Sequence, residues 1–294
     1  MQARKHFLSE GVLPMDERNE AELDFSQDLT IANDYMFGRV MRNEKICRGF
    51  LHEVLPEIEI GPIQFLDHQK TMDPTVTAHG VRLDIYADDG TIAYNIEIQR
   101  ENPYNLPKRA RYYQSQIDAD ILDKGEDYDT LRDCYVIFVC TFDPFGEKRY
   151  RYTFKNRCSE SEALDLDDGA IKVFLNTKGR TGEVSDNMKR LLTYFNNRQT
   201  GERTELIEAI ENEVETANKD KDWRREMMTL EMKMRDRERI AARKAAEKAE
   251  QKNKEQTAIK MIKKGMDNEL IHELTELPFS RIEELRTSLK NSVA

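Results

Sequence analysis

Residues 81–99 read VRLDIYADDGTIAYNIEIQ. Val81, Leu83, Ile85 and Ala87 alternate with Arg82, Asp84, Tyr86 and Asp88. After Asp89-Gly90, Ile92, Tyr94, Ile96 and Ile98 alternate with Ala93, Asn95, Glu97 and Gln99. A period of two on both sides of an Asp-Gly pair predicts two half-buried antiparallel strands joined by a tight turn. With Asp89-Gly90 as the two-residue loop, Asp84 lies opposite Asn95 and Arg82 opposite Glu97. Asp84 and Glu97 are then diagonal neighbours on one face, about 7 Å apart at the backbone, and Gln99 follows on the same face. Two carboxylates so placed can share one divalent cation. Magnesium takes oxygen ligands and keeps several waters, so two carboxylates and a backbone carbonyl, here that of Ile98, make a suitable partial shell. A cation held there activates water and stabilises charge developing on a phosphate. On spacing alone, a solvated hairpin face is the simpler reading, because carboxylates are common on one.

Outward from the hairpin, the pattern predicts a helix over 34–54, with Phe37, Val40, Met41, Phe50, Leu51 and Val54 at helical spacing, ended by Pro56. A short extended run follows near 63–66. Pro107 suits the first turn of a helix running to Lys124, with Gly125 as its stop. The run CYVIFVCTF (134–142) is nearly all apolar and reads as a central strand covered on both faces. Strands are expected at 150–154 and 171–176, and a helix at 188–195. This order gives an α/β or α+β core over 28–200, behind a loose polar arm at 1–27.

From Glu202 to Lys264 the chain is highly charged and has no proline. One long helix, or two in tandem, is expected over 201–264. Trp223, Met227, Leu230 and Met234 start a heptad-like seam that fails at Arg237, so a solvated helix describes it better than a sustained coiled coil. Gly265 can end this helix and Asp267 can cap the next. Ser280 with Glu283 forms a capping box for a final helix. Residues 265–294 therefore read as a small helix–turn–helix unit.

The net charge of −10 argues against a surface that coats nucleic acid throughout. The charge is uneven, however. Residues 233–264 hold 12 Lys/Arg against 5 Asp/Glu, so an acidic body carries a basic arm. No stretch approaches the ~20 apolar residues of a membrane helix. The N-terminus lacks the apolar core of a signal peptide. Cys47, Cys134, Cys140 and Cys158 have no C-x-x-C spacing and the five histidines are scattered. Reduced cysteines in a cytoplasmic protein, with no zinc site, are expected.

Asp84 with Glu97-Ile98-Gln99, in the pattern D-x12-E-x-Q, resembles the signature of the PD-(D/E)XK nucleases. More narrowly, it resembles their transposase-associated branch, the recombination-promoting nucleases. Three further segments match that branch: Asn33-Asp34-Tyr35-Met36-Phe37, Arg109-Ala110-Arg111-Tyr112-Tyr113, and KKGMDNELIHELTELPFSRIEELRTSL at 263–289. The resemblance implies a restriction-endonuclease-like α/β core, a mixed sheet flanked by helices. A long charged helix and a small C-terminal helical hairpin would follow it. It also implies Mg2+ (or Mn2+) as cofactor and DNA as substrate. Asp84 and Glu97 would be metal ligands, and Gln99 would stand where the superfamily usually has a lysine that orients the attacking water. Leu83 stands where the signature has proline.

Four accessory residues stand beside this set. Asp34 reads as an upstream acid or, better, as a helix N-cap. Arg109, Tyr113 and Gln116 share one helix face, either as phosphate and stacking contacts or as a half-buried aromatic under a snorkelling arginine. In the C-terminal unit Arg281, Arg286 and Lys290 can face DNA, although Glu283 and Glu284 weigh against it and a protein-docking hairpin serves equally well. The sequence thus points to a metal-dependent DNA endonuclease, linked to recombination or mobile elements. Two alternatives remain: a non-catalytic DNA-binding relative, and a helical scaffold that self-associates through the long helix.

Overall fold

The computed structural model describes residues 28–72, 81–197 and 201–291. The arm expected over 1–27 lies outside them. The chain divides into two compact units, residues 1–221 and 222–294.

The first unit is built on a mixed six-stranded sheet. Its strands are β1 (Phe65–Met72), β2 (Val81–Asp88), β3 (Ile92–Gln99), β4 (Asp133–Cys140), β5 (Arg151–Phe154) and β6 (Ala170–Asn176), in the order β1-β2-β3-β4-β6-β5. β1, β2 and β3 form an antiparallel meander. β4 and β6 continue it in parallel, and β5 closes the far edge antiparallel to β6. The parallel step from β3 to β4 needs a crossover, which helix α3 (Leu106–Ile121) supplies. β1 is longer than the short run expected at 63–66. β4 has seven of eight residues buried, as a near-continuous apolar run requires.

The helix expected over 34–54 is two helices, α1 (Asp34–Met41) and α2 (Glu44–Val54). Asn43 causes the break: its side chain accepts the Lys45 N–H and starts a new helix. Phe37 of α1 and Phe50 of α2 both pack on Phe195 of α4 (Asp186–Asn197).

The hairpin departs from the expectation in two ways. Its loop is Gly90-Thr91, not Asp89-Gly90. Asp89 accepts the N–H groups of Thr91 and Ile92 and the Thr91 hydroxyl, so it stands as the last paired residue, with its own N–H bonded to Ile92. Gly90 has φ 93, the positive value that a type II′ turn demands of its first loop residue. The observed pairs run from Asp88↔Ala93 to Ile85↔Ile96. Continued by one step, this register sets Asp84 directly across from Glu97, not from Asn95. The second departure is that β3 is not half-buried: six of its eight residues are buried, including Asn95 and Glu97. The reason is α3, whose Leu106, Ala110, Tyr113 and Ile117 pack over Ala93, Cys134, Val136, Phe138 and Cys140. Those β4 residues pair with Ala93, Asn95, Glu97 and Gln99 and share their face. The polar face of β3 is therefore roofed by a helix.

The charged segment after Gly201 begins with a helix that belongs to the core. In α5 (Glu205–Lys219), Ile207, Ile210, Val214 and Ala217 are buried, and the helix packs on α1 and α2. Asn218 exchanges two hydrogen bonds with the backbone of Leu29, and Asp220 pairs with Arg39 at 3.3 Å. The core fold thus runs past residue 200, where the sequence reading ended it. α6 (Lys221–Lys263) is the long helix, and residues 239–253 are exposed throughout.

In the second unit, Gly265 (φ 81) ends α6. The Met266 N–H reaches back to the Met261 carbonyl in a Schellman closure. Asp267 caps α7 (Asn268–Thr275) through the Leu270 N–H. α8 runs Phe279–Asn291, so it starts one residue before Ser280 and the expected Ser280–Glu283 capping box does not open it. Ala258, Ile271, Leu277 and Ile282 form a small core of their own. Among the described residues no helix is long and apolar enough to cross a membrane. The four cysteines are unpaired, and all but Cys158 are buried.

Candidate active site

Asp84 and Glu97 meet where the β2–β3 ladder stops. Pairing between the two strands ends at Ile85↔Ile96, and the β1–β2 pairing passes from Ile85 to Leu83 without Asp84. Each carboxylate fills the gap by accepting a backbone N–H from the opposite strand. The Asp84 N–H donates to Glu97 Oε1 at 3.1 Å, and the Ile98 N–H donates to Asp84 Oδ2 at 3.2 Å. A strand residue turns its N–H and its C=O to the same edge. The Ile98 carbonyl therefore faces the same gap as the two carboxylates.

Glu97 is 1% exposed and Asp84 is half-buried. Burial, and then the charge of Asp84 beside it, push the Glu97 carboxyl well above the ordinary carboxylate range. The Asp84 N–H and the Arg109 guanidinium pull the other way and do not offset the shift.

α3 brings a second group over this pair. Arg109 donates to Gln99 Oε1 at 3.0 Å and to the Tyr113 hydroxyl at 2.6 Å, and it stands 3.8 Å from Glu97. Its guanidinium lies over the rings of Tyr113 (5.3 Å) and Phe138 (5.9 Å), which stack on one another. Burial comes first among the causes that raise the Tyr113 hydroxyl pKa, followed by the charge of Glu97. Arg109, Gln99 and Asp84 are only partly buried, so the site opens to solvent on their side and is closed around Glu97.

The structure thus brings together Asp84, Glu97, Ile98, Gln99, Arg109 and Tyr113. Gln116 lies a turn further along α3. Its Oε1 is buried and makes no hydrogen bond among the described residues. Asp34 is exposed in the first turn of α1, and the capping role expected of it falls to Asn33, whose side chain accepts the Tyr35 and Met36 N–H groups. Arg281 is paired with Glu255 (2.8 Å) and Glu284 (2.6 Å). Arg286 donates to the Met266 carbonyl and to Asn268, fastening the α6–α7 turn. The Lys290 side chain lies outside the described residues. The sequence reading missed Phe138, which floors Arg109. Its partnership with Glu97 depends on the β3–β4 register, which no local pattern reveals.

Two carboxyl groups beside each other, one wholly buried, could both ionise only with a cation between them. Among the described residues no group of three or more His, Cys, Asp and Glu side chains can hold a metal. The donor set is two carboxylates and one facing carbonyl, which suits a hard cation that keeps part of its water shell. It does not suit an all-protein cage.

No curated protein and no solved structure matches the chain. The family model described as PD-(D/E)XK nuclease family transposase matches residues 32–270, a span that holds the whole sheet and every residue of the site just described. That span is most of the chain, and the chain belongs to the family of PD-(D/E)XK nuclease transposases.

Proposed function

We propose that the chain is a metal-dependent DNA endonuclease that hydrolyses phosphodiester bonds at the Asp84–Glu97 site. Asp84, Glu97 and the Ile98 carbonyl would hold Mg2+ or Mn2+. Such a cation supplies Lewis acidity, making water nucleophilic near neutral pH and neutralising phosphate charge. The observation that carries the reading is the Arg109–Gln99 contact at 3.0 Å. Gln99 is neutral where the superfamily usually has lysine. Arg109 restores a fixed positive charge next to that position, and the Tyr113 hydroxyl and the two aromatic rings hold it there.

The residues divide the work by chemistry. Glu97 and Asp84 concentrate negative charge in a poorly solvated place, which favours a divalent cation over water as their neighbour. The Gln99 Oε1 accepts from Arg109, which leaves its amide N–H groups to donate to a water or a phosphate oxygen at the mouth of the site. Of the five donors of Arg109, two are committed to Gln99 and Tyr113, and others can meet a phosphate oxygen. The burial around Glu97 excludes bulk water and strengthens each of these interactions.

The test is plasmid cleavage by purified wild-type and Glu97→Ala protein, with Mg2+ and with EDTA. Cleavage that requires both the cation and Glu97 is expected. Cutting by Glu97→Ala at the wild-type rate sinks the assignment. DNA binding without cleavage under every condition would favour a non-catalytic relative of the same fold.

A further inference from the structure

The loop between β3 and α3 presents Tyr104 with 91% of its surface exposed, the most exposed of the large hydrophobic side chains described. Its backbone is left-handed, with φ 57, a conformation that side-chain-bearing residues adopt sparingly. The Tyr104 N–H is bonded to the Asn102 side chain at 2.9 Å, which fixes the bend. An exposed aromatic ring held in a strained backbone contributes nothing to the core and presents its face to solvent.

The base of this loop is the active site itself. Gln99 ends β3, Arg109 lies in the first turn of α3, and the two are bonded at 3.0 Å. Tyr104 stands midway between them in sequence. Five residues of chain reach no further than about 17 Å, which is about five nucleotide spacings of ~3.4 Å along one strand. Arg100, Lys108 and Arg111 are exposed around the same loop and helix start. With Glu101 as the one exposed carboxylate among them, residues 100–111 carry four basic side chains against one acid on a chain of net charge −10, with an aromatic in the loop. Cations that follow the backbone and an aromatic that meets a base are the two components of single-strand recognition. A duplex offers base edges but hides base faces, and a lone ring on a short loop needs a face.

We propose that Tyr104 stacks on an unpaired base within about five nucleotides of the scissile phosphate. The site then takes single-stranded or locally unpaired DNA in preference to intact duplex. This rests on the nuclease reading for the position of the phosphate, but not for the stacking contact.

The experiment uses the full chain carrying Glu97→Gln, so that substrate is not consumed. Fluorescence anisotropy compares a labelled single-stranded oligonucleotide with a blunt hairpin duplex of the same composition. Tyr104→Ala should weaken single-strand binding by about 5- to 100-fold. Duplex affinity should change far less. Tyr104→Phe should bind like the parent, since stacking needs the ring and not the hydroxyl. The salt slope should not move in Tyr104→Ala, because no phosphate contact is removed. Equal affinities for parent and Tyr104→Ala, or equal losses on both DNAs, overturn the proposal. A parallel cleavage assay with Glu97 intact separates the two readings. Cleavage with no effect of Tyr104→Ala on binding removes the stacking role and keeps the nuclease. Loss of single-strand affinity in a protein that never cleaves keeps the stacking role and removes the nuclease.

Discussion

The acids of the β2–β3 site and the arginines of the C-terminal unit are both charged groups fixed by neighbours, and the protein treats them differently. Arg286 is surrounded by acceptors: the Met266 carbonyl and Asn268 take its donors and tie α8 to the α6–α7 turn. Arg281 is likewise matched by Glu255 and Glu284. Glu97 is more deeply buried than either, yet the charge that acts on it most is that of Asp84, of the same sign, and outweighs Arg109 at 3.8 Å. Where a fold compensates a charge internally, the charge is structural. Where it leaves one under-compensated in a place that costs stability, a ligand completes it. This contrast supports the proposal that the sheet site carries chemistry, while the two arginines hold the C-terminal unit together.

The largest effect that can break this contrast is catalytic. Asp84→Ala or Glu97→Ala should lower Mg2+-dependent cleavage by more than about 10³-fold, with the circular dichroism of the folded protein unchanged. Replacing Arg109 by Ala should cost about 10- to 100-fold. Arg109→Lys should recover only part of this, since an ammonium cannot span Gln99 and Tyr113 as the planar fork does. Rates measured at saturating Mg2+ would show whether the guanidinium serves the chemistry or only metal affinity.

The next effect concerns stability and has a sign. The folded-state pKa of Glu97 is raised above its unfolded value of about 4.3. Its contribution is therefore fully present below that unfolded value and is lost as pH rises through the folded value. Metal-free wild type should lose stability relative to Glu97→Gln as pH rises from about 4 toward the raised folded-state value, and above that value the variant should melt a few degrees higher. Added Mg2+ should raise the wild-type melting temperature most at high pH, where the proton has gone, and raise that of Glu97→Gln little. Calorimetry with and without the cation reads all four values. A variant that Mg2+ stabilises as much as wild type would place the cation elsewhere.

The smallest effects test the architectural half. Arg286→Ala should destabilise the C-terminal unit by about 1–3 kcal/mol while leaving the salt slope of DNA binding unchanged. A slope smaller by about one would make Arg286 a phosphate contact after all. Gly265→Ala, at φ 81, should cost about 1 kcal/mol in the same unit. Hydrogen exchange localised to α7 and α8 would report both.

The hairpin register differs by two residues from the expected one because Asp89, one residue beyond β2, bonds across to Ile92 and leaves Gly90-Thr91 as the loop. A shift of two preserves the alternation, so every side chain kept its face and the acids stayed together. The 34–54 helix was divided by Asn43, a residue that serves a helix interior poorly and an N-cap well. The apolar stripe Ile207, Ile210, Val214 and Ala217 was present at helical spacing, but the charge of the surrounding segment concealed that α5 belongs to the core.

Taken by itself, the sequence determined the hairpin, the faces of its strands, the central strand at 134–140 and the identity of the paired acids. Each of these rests on a local period of two or on a residue type. Tertiary structure decided that Glu97 is buried, that Asp84 stands directly across from it, and that Arg109 supplies a charge next to the neutral Gln99. Alternation along a strand is fixed by its own backbone geometry. Desolvation and charge compensation depend on what the rest of the chain lays over the strand, here α3 and Phe138.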